Sequence, residues 1–567
     1  VEITFGEYFE YTHHEAVLPH TLKAGCEAAH HPVVIAGGGP TGLALALGLA
    51  NFGVRSVVLE ADATVCSGSR AGAFTRRTLE ILERFGVIDE VMRTGLRWST
   101  GRTYFGAEEV FAFHMPDDAD QKYPPAISHL QNYIEHCMVQ EAERRKDLID
   151  IRWQSRATAV AQDEGGVRID VETPAGHYAL RSDWLVACDG GRSQVREALG
   201  LRMQGRRHEG RYVIIDIRID TEGLPPGRRC WFDPPSKPGT TLLMYKKPGN
   251  MLRFDYQLAD GDDEVEAMQT ERVFAQVNEH LKMLGIDRPW EPVWMSLYRA
   301  SALTLDSYLH GRVLFAGDAA HLVPIFGVRG MNSAIDDAHN LAWKLALTVQ
   351  GKAGPALLDS YSTERVYAAR ENHRFANKSA EFMAPPSQPF KLMRDAVLSL
   401  SKAHPWVTSL MNPRQHSAIP LRGSPLNAWP LSGGAFEAGP APGDILLECP
   451  VEIDGRADFL TGVLGPHFTV FHFSETGAMP APVADAIARA AERVPVKGFV
   501  IAPCAGAAGA LVDAKAKALH LYGAQAGTLY LVRPDGHVLA RWRQADAPEL
   551  EAVLDAVLTQ PAEECHV

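Results

Sequence analysis

Eight cysteines are scattered along 567 residues (Cys26, Cys66, Cys137, Cys188, Cys230, Cys449, Cys504 and Cys565), and no two form a C-x-x-C pair. That removes dithiol exchange and any spaced thiol set for structural zinc, and reduced, mostly buried thiols in a cytoplasmic protein are expected. The pairs His13-His14 and His30-His31 have no patterned third ligand, so no metal is expected. No apolar run reaches the roughly 20 residues of a membrane helix, and no membrane partner is expected. The opening VEITFGEYFEYTHHEAV has no basic stretch followed by an apolar one, so it reads as an arm lying on the following domain rather than a secretory leader. Basic residues are in deficit: 56 Lys and Arg against 69 Asp and Glu leave a net charge of −13. Without a basic face, a nucleic-acid partner is not expected. Internal repeats and low-complexity tracts are also missing.

What is present is a composition of 46% hydrophobic and 22% charged residues, ordinary for a globular enzyme and, at this length, for about three domains. The stretch HPVVIAGGGPTGLALALGLANFGVRSVVLEAD, residues 31 to 62, carries the strongest signal. A buried strand, Val33 to Ala36, leads into G-x-G-x-x-G at Gly37, Gly39 and Gly42. A helix follows through Pro40 and Thr41, and a second strand ends at Glu60. Gly37 allows the tight turn, Gly39 lets a pyrophosphate approach the backbone, and Gly42 lets helix and strand pack closely. The helix N-terminus offers unpaired N–H groups to phosphate, and Glu60 accepts from a ribose. An adenine dinucleotide is the expected ligand.

Alternating strands and helices continue to about residue 204, with a hairpin at 101–115 and a helix over Ile134 to Arg144. From 205 to about 297 alternating strands (Tyr212 to Ile219, Thr241 to Tyr245, Met251 to Gln257) read as a mainly antiparallel sheet with one solvated face. Dinucleotide-domain character returns at 298–383, where Arg312 to Ala316 reads as a strand and Asn332 to Thr348 as a helix, so the first domain is interrupted by the second. Arg299 is expected to tie the two together. Residues 384–443 read as a linker with one helix. Residues 444–567 have the element order of a thioredoxin-like fold, with Pro534-Asp535-Gly536 as a hairpin signal. Without C-x-x-C, packing or dimerisation is its expected role.

Three further motifs bear on the ligand. They are Ser69-Arg70-Ala71-Gly72; Cys188-Asp189-Gly190 with Arg192 and Arg196; and Gly317-Asp318, delivered by a buried strand and followed by Pro324-x-x-Gly327-x-x-Gly330-Met331-Asn332. Asp318 is placed at a strand end to accept from ribityl or ribose hydroxyls. The glycine turn brings backbone N–H groups and a helix N-terminus to the remainder of the ligand.

In this order and spacing the motifs, together with Gln131, resemble the FAD-dependent aromatic hydroxylases of the para-hydroxybenzoate and phenol hydroxylase type, over residues 31 to about 380. The C-terminal stretch resembles the thioredoxin-like tail of the phenol hydroxylase branch, which includes 3-(3-hydroxyphenyl)propionate hydroxylases. The resemblance implies an α/β fold: a Rossmann-like FAD-binding domain interrupted by an antiparallel substrate domain. It implies FAD as cofactor, NADH or NADPH as transient reductant, and O2 and a small aromatic substrate as reactants. Hydroxylation of a phenol then runs through a flavin C4a-hydroperoxide. By motif position, Gly37 to Gly42 hold the pyrophosphate, Glu60 the adenosine ribose, Arg70 the ring region and Gln131 the phosphate or ribityl region. Asp189 falls where the family links cofactor binding to NAD(P)H use. Asp318 takes the ribityl chain, and Gly330, Met331 and Asn332 face the flavin pyrimidine edge.

One departure matters. The phenol hydroxylase branch has an acidic residue shortly before its R-T-L-E helix start, and here Gly72 stands in that place ahead of Arg77-Thr78-Leu79-Glu80. The base for a phenol of pKa about 10 is therefore unassigned. Tyr245 and His321 are the catalytic candidates, with Arg253 and Tyr256 behind them. The alternatives are oxygenation of a polyketide or other larger aromatic, by hydroxylation or epoxidation, and a flavin-binding relative without turnover. A halogenase is disfavoured by the missing W-x-W-x-I-P motif. A homodimer is left open.

Overall fold

The computed structural model describes residues 2–6, 9–19, 21–68, 70–411, 415–427, 436–504, 510–544 and 546–559; Ser69 of the second motif and Cys565 lie outside them. The first domain is built on a parallel sheet ordered Ile149–Arg152, Ser56–Leu59, Cys26–Ala36, Gly176–Ala187 and Val313–Phe315. Residues 33 to 36 and 313 to 315 are at most 1% exposed, which is why they read as continuous apolar runs rather than alternating ones. Helix Pro40–Asn51 is buried almost all round and lies against helix Gly330–Val349. At their crossing a Cβ on Gly48 would sit 2.7 Å from that of Ala342. The strand Val313–Phe315, some 280 residues after the glycine fingerprint, thus completes the sheet that Cys26–Ala36 begins.

The inserted sheet runs Glu2–Thr4, Trp290–Thr304, Gln204–Ile219, Met251–Gln257, Thr241–Lys247, Arg228–Phe232, Thr100–Phe105 and Glu108–His114. It is antiparallel except where Arg228–Phe232 meets Thr100–Phe105. The expected hairpin at 101–115 is its far edge. The N-terminal arm is its near edge: Glu2 pairs with Ser296, so part of this arm belongs to the inserted sheet. The sheet has no solvated broad face. Val213, Ile215, Leu252 and Phe254 pack on Val273 and Val277 of helix Thr270–Met283. The other face carries Asp216, Lys247, Arg253 and Asp255, all buried, and turns toward the first domain.

Helix Ala356–Met383 crosses the back of the first domain, and the stretch expected as a linker holds helix Gln388–Ser401. The C-terminal domain is a seven-stranded mixed sheet. Its apolar core is continuous with the first domain: Trp343, Leu347 and Leu357 share a cluster with Phe468, Leu529 and Trp542. The hairpin turn at Pro534-Asp535-Gly536 forms as expected, and it also plugs into the first domain. Glu364 accepts from Arg533 Nη1 at 2.7 Å, Lys344 Nζ at 2.7 Å, Asn340 Nδ2 at 2.8 Å and Ser424 Oγ at 2.5 Å. Asp535 Oδ2 accepts from Asn340 Nδ2 at 3.0 Å and Trp343 Nε1 at 3.1 Å, and its carbonyl oxygen takes Arg77 Nη2 at 2.7 Å.

Candidate active site

A cleft of about 1050 Å³ lies between the first domain and the inserted sheet, at the top of the range for ligand sites. Gly37, Gly39, Pro40 and Thr41 form one end of it. Gly37 has φ +102°, and a Cβ there would stand 2.4 Å from the Cys188 carbonyl oxygen. Gly42 is outside the lining: its Cβ would strike the Gly37 carbonyl oxygen at 2.0 Å, so its smallness serves strand–helix packing. Gly39 differs, since no atom lies within 4 Å of where its Cβ would be; the space it leaves is open to the cleft. Pro40 occupies the first turn of the helix, where its missing N–H costs no bond. Glu60 accepts from Gly38 N at 2.7 Å and Asp62 N at 2.8 Å. Burial pushes its carboxyl up to about 7.

The remaining motif residues gather along the same wall. Asp189 accepts from Val195 N at 3.1 Å through Oδ2, while its buried Oδ1 has no partner among the described residues, and burial raises its pKa. Gln131 holds the Arg70-Ala71 segment in place, accepting from Ala71 N at 3.1 Å and donating to Glu135 at 2.8 Å. Arg70 faces the cleft with its guanidinium half-exposed, 3.4 Å from Glu2. Asp318 lines the cleft with its side chain exposed to it. The surrounding protein raises its pKa by desolvation, against the opposing pull of His321 and Arg70. Gly330, Met331 and Asn332 put the N-terminus of a 20-residue helix on the cleft. The Asn332 side chain itself is a brace, accepting from Thr75 N at 2.9 Å and donating to the Ala73 carbonyl at 3.1 Å. The turn before it holds Val328 at φ +52°, a costly conformation for a β-branched residue and a mark of a functional turn.

The inserted sheet supplies the opposite wall. Register aligns Tyr245 with Arg253 and Arg253 with Asp216, so these side chains share one face. Asp216, 0% exposed, lies beneath; it accepts from Lys247 Nζ at 3.1 Å and Arg253 Nε at 3.0 Å. Asp255 lines the cleft, 3.8 Å from Arg253 Nε. Its Oδ1 has no hydrogen-bond partner among the described residues. Burial, opposed by Arg253, pushes Asp255 up to about 6. Burial, reinforced by Arg253, pulls Lys247 down to about 8. Burial also lifts Tyr245 to about 12, which suits a hydroxyl that stays protonated.

Three expectations are corrected here. His321 does not line the cleft. It is 1% exposed, and its Nε2 lies 2.6 Å from Asp337, which Arg365 also holds at 2.6 Å. Tyr256 points to the opposite face of the sheet and packs edge-on against His280. Arg299 pairs with both oxygens of Glu264 at 2.6 Å, within the inserted domain rather than between domains. Sequence reasoning missed Asp255, Lys247 and Asp216. Their signal was the alternation of Arg253 and Asp255 with Leu252, Phe254 and Tyr256, which a cleft-facing strand shares with a solvent-facing one.

The dinucleotide wall therefore offers open backbone at Gly39, Gly190 and Gly330, the unsatisfied Asp189 Oδ1, the exposed Asp318 carboxyl and two helix N-termini. This donor set fits an adenine dinucleotide that also carries a polyhydroxyl chain. A family model described as FAD binding domain matches residues 30–376, well over half of the chain. The chain is 29% identical over 442 residues to 3-(3-hydroxy-phenyl)propionate/3-hydroxycinnamic acid hydroxylase 2 of Burkholderia vietnamiensis, covering 77% of this chain and 78% of that protein. It is 27% identical over 445 residues to the corresponding hydroxylase of Escherichia coli K12, covering 77% of each. Among solved structures, the flavin-dependent monooxygenase PieE, in complex with FAD and substrate, superposes with a TM-score of 0.78 at 24% identity, over 94% of this chain and 99% of that one. The p-nitrophenol 4-monooxygenase PnpA of Pseudomonas putida DLL-E4 gives 0.58 at 26% identity, over 68% of this chain and 99% of that one.

Proposed function

The chain belongs to the FAD binding domain family and is an FAD-dependent aromatic monooxygenase, and we propose that it hydroxylates a phenolic ring at the expense of NADH or NADPH. The overall change is ArH + O2 + NAD(P)H + H⁺ → ArOH + H2O + NAD(P)⁺. The observation that carries this reading is the single cleft that joins the fingerprint and Asp318 on one wall to the buried polar face of the inserted sheet on the other.

FAD, when bound, supplies hydride acceptance from the nicotinamide nucleotide and activation of O2. The chain's residues do the remainder. The N–H groups before helix Pro40–Asn51 hold the pyrophosphate and Glu60 the adenosine ribose. Asp318 and Asp189 accept from hydroxyls of the polyhydroxyl chain, and the N-terminus of helix Gly330–Val349 stabilises negative charge on the ring. Arg70 and Gln131 fix the segment at the ring's edge. Asp255 takes the phenolic proton in place of the acid that Gly72 replaces: its carboxyl lines the cleft, with Oδ1 turned to Arg253 Nε at 3.8 Å. With Asp255 pushed up to about 6, it is ionised at neutral pH and still basic enough to matter. Tyr245 orients the substrate oxygen by hydrogen bonding. Asp216 keeps Lys247 and Arg253 in place so that their charges favour the phenolate.

We read the C-terminal domain as thioredoxin-like. Its order Val496–Ala502, Phe468–Phe473, Leu529–Val532, Val538–Trp542 has a parallel first pair and antiparallel following pairs. Among the described residues its cysteines, Cys449 and Cys504, are free, so we assign it docking rather than redox exchange, in a reducing cytoplasm. The test is direct. Purified protein should be yellow, and phenols, hydroxybenzoates, phenylpropionates and polyketide aromatics should be screened for faster NAD(P)H and O2 consumption. Products heavier by one oxygen decide for hydroxylation, and colourless protein that takes up no FAD sinks the reading.

A further inference from the structure

The chain ahead of residue 30, where the family match begins, is anchored in both walls of the cleft. Ile3 and Phe5 pack on the core of the inserted sheet, and Glu2–Thr4 pairs with Trp290–Thr304 as its edge strand. Phe9, Tyr11 and Leu18 pack on the core of the first domain. Asn132 Nδ2 donates to the Tyr11 hydroxyl at 3.1 Å, and His14 N donates to the Ala63 carbonyl at 2.9 Å. The His14 ring stacks on Trp153 with centroids 4.2 Å apart. Residues 2 to 18 thus tie one wall to the other, and they do so from outside, since none of the described ones lines the cleft.

The crossing point is Glu2. Its Oε1 accepts from Trp294 Nε1 at 2.8 Å, and its Oε2 lies 3.4 Å from Arg70 Nη2. Trp294 and Arg70 both line the cleft, one from each wall. Gly68, at φ +75°, makes room for this contact: a Cβ there would stand 2.3 Å from Glu2 Oε1 and 2.4 Å from Trp294 Nε1. Arg70 is held from the inside as well, for its carbonyl accepts from Arg253 Nη1 at 2.8 Å. The Arg70 backbone is therefore fixed to the inserted sheet, and Glu2 is the carboxylate that meets its half-exposed guanidinium. An exposed pair of this kind adds little to global stability; what it sets is where the guanidinium resides. We propose that residues 2 to 18 are a strap fixing the spacing of the two walls, and that Glu2 is a positioning residue: it holds Arg70 and Trp294 at the cofactor's edge and so slows FAD release. The inference rests on the assignment of the cleft to FAD, not on hydroxylation of a phenol.

The test uses the full-length, FAD-loaded protein. FAD release is followed by the recovery of flavin fluorescence on dilution, beside the thermal midpoint. Glu2→Ala removes both contacts and should speed release about tenfold, as loss of a charge-assisted hydrogen bond implies. Its thermal midpoint should stay that of the wild type, which separates positioning from a general loss of structure. Glu2→Gln keeps an acceptor for Trp294 and loses the charge. It should speed release about threefold at about 50 mM salt, and the difference from wild type should close by about 0.5 M. In an Arg70→Gln background Glu2→Gln should be silent, because the pair is already broken. Phe9→Ala loosens the strap at its first-domain end and should also speed release severalfold. Release within about twofold of wild type in either Glu2→Ala or Phe9→Ala overturns the proposal. An effect of Glu2→Gln that persists undiminished beside Arg70→Gln, or at high salt, does so too. Should Arg70→Gln fail to retain FAD, the salt comparison decides. Wild-type protein that takes up no FAD sinks the cofactor assignment itself; FAD uptake with release insensitive to these variants sinks only the strap.

Discussion

Two of the buried charge clusters among the described residues are built to opposite rules. Where the C-terminal hairpin enters the first domain, Glu364, Arg533, Asp535 and Lys344 are all at most 1–2% exposed, and both oxygens of Glu364 are taken up by neighbours. On the face of the inserted sheet, Asp255, Arg253, Lys247 and Arg228 are similarly buried, yet among the described residues Asp255 Oδ1, Arg228 Nε and Arg228 Nη1 have no hydrogen-bond partner, and Arg253 comes no closer to Asp255 Oδ1 than 3.8 Å. A satisfied buried network fixes one arrangement of two domains. An unsatisfied one stores unfavourable desolvation that an incoming ligand can relieve. The first cluster ties two domains together, and in the proposed reading the second serves binding and proton transfer, although their compositions are alike.

That contrast can be broken most severely at the hairpin. Glu364→Ala leaves Lys344 without its carboxylate and Arg533 with Asp535 alone, and a loss of about 3–5 kcal/mol of stability is expected, read by chemical denaturation. The environment of Glu364, chiefly Arg533 and Lys344, holds its carboxyl far below the usual range against the effect of burial. Its contribution is therefore present above about pH 4.5 and lost as the pH falls below it. At the sheet the same kind of change should act in reverse. Asp255→Asn should cost about 100-fold in kcat for a phenol, the low end of what a general base supplies, while FAD retention persists. Because burial raises the Asp255 pKa from 3.8 to about 6, the cost of ionising it builds between those two pH values and is complete above them. Removing the charge should stabilise the protein at pH 7 by up to about 3 kcal/mol. A variant that is both slower and less stable would contradict the contrast. Asp318→Ala should weaken FAD retention about tenfold, as loss of one charge-assisted bond implies, measured by flavin release on dilution. Finally, kcat/KM should rise as the pH passes about 6, where Asp255 ionises, and fall past about 8, where Lys247 loses its proton. The rising limb should be absent in Asp255→Asn.

The dinucleotide wall was legible in the chain because its chemistry sits in contiguous backbone: a strand end, a glycine turn and a helix start occupy about ten residues each. The plan of a first domain interrupted by the second was read from where those motifs return. The catalytic wall was not legible, because its side chains come from separate strands whose register only the folded sheet fixes. Alternating charge in Met251–Gln257 reads as a wet face, and the cleft that replaces water has no signature of its own. His321 was drawn in by its position next to the Gly317-Asp318 motif, but its partner, Asp337, lies a full helix start later. Pro534-Asp535-Gly536 showed a turn, while the identity of what that turn would touch, Asn340, Trp343 and Glu364, lay nearly 200 residues earlier.

The plug-like hairpin has a consequence for how the molecule comes into being. Glu364, Lys344 and Trp343 leave the ribosome long before Arg533 and Asp535, so the nascent first domain exposes a charged hole and an apolar surface for as long as some 170 further residues take to be made. The first domain is thus closed by a hairpin made long after it, and a chain cut short of Arg533 lacks the residues that pair with Glu364 and Asn340.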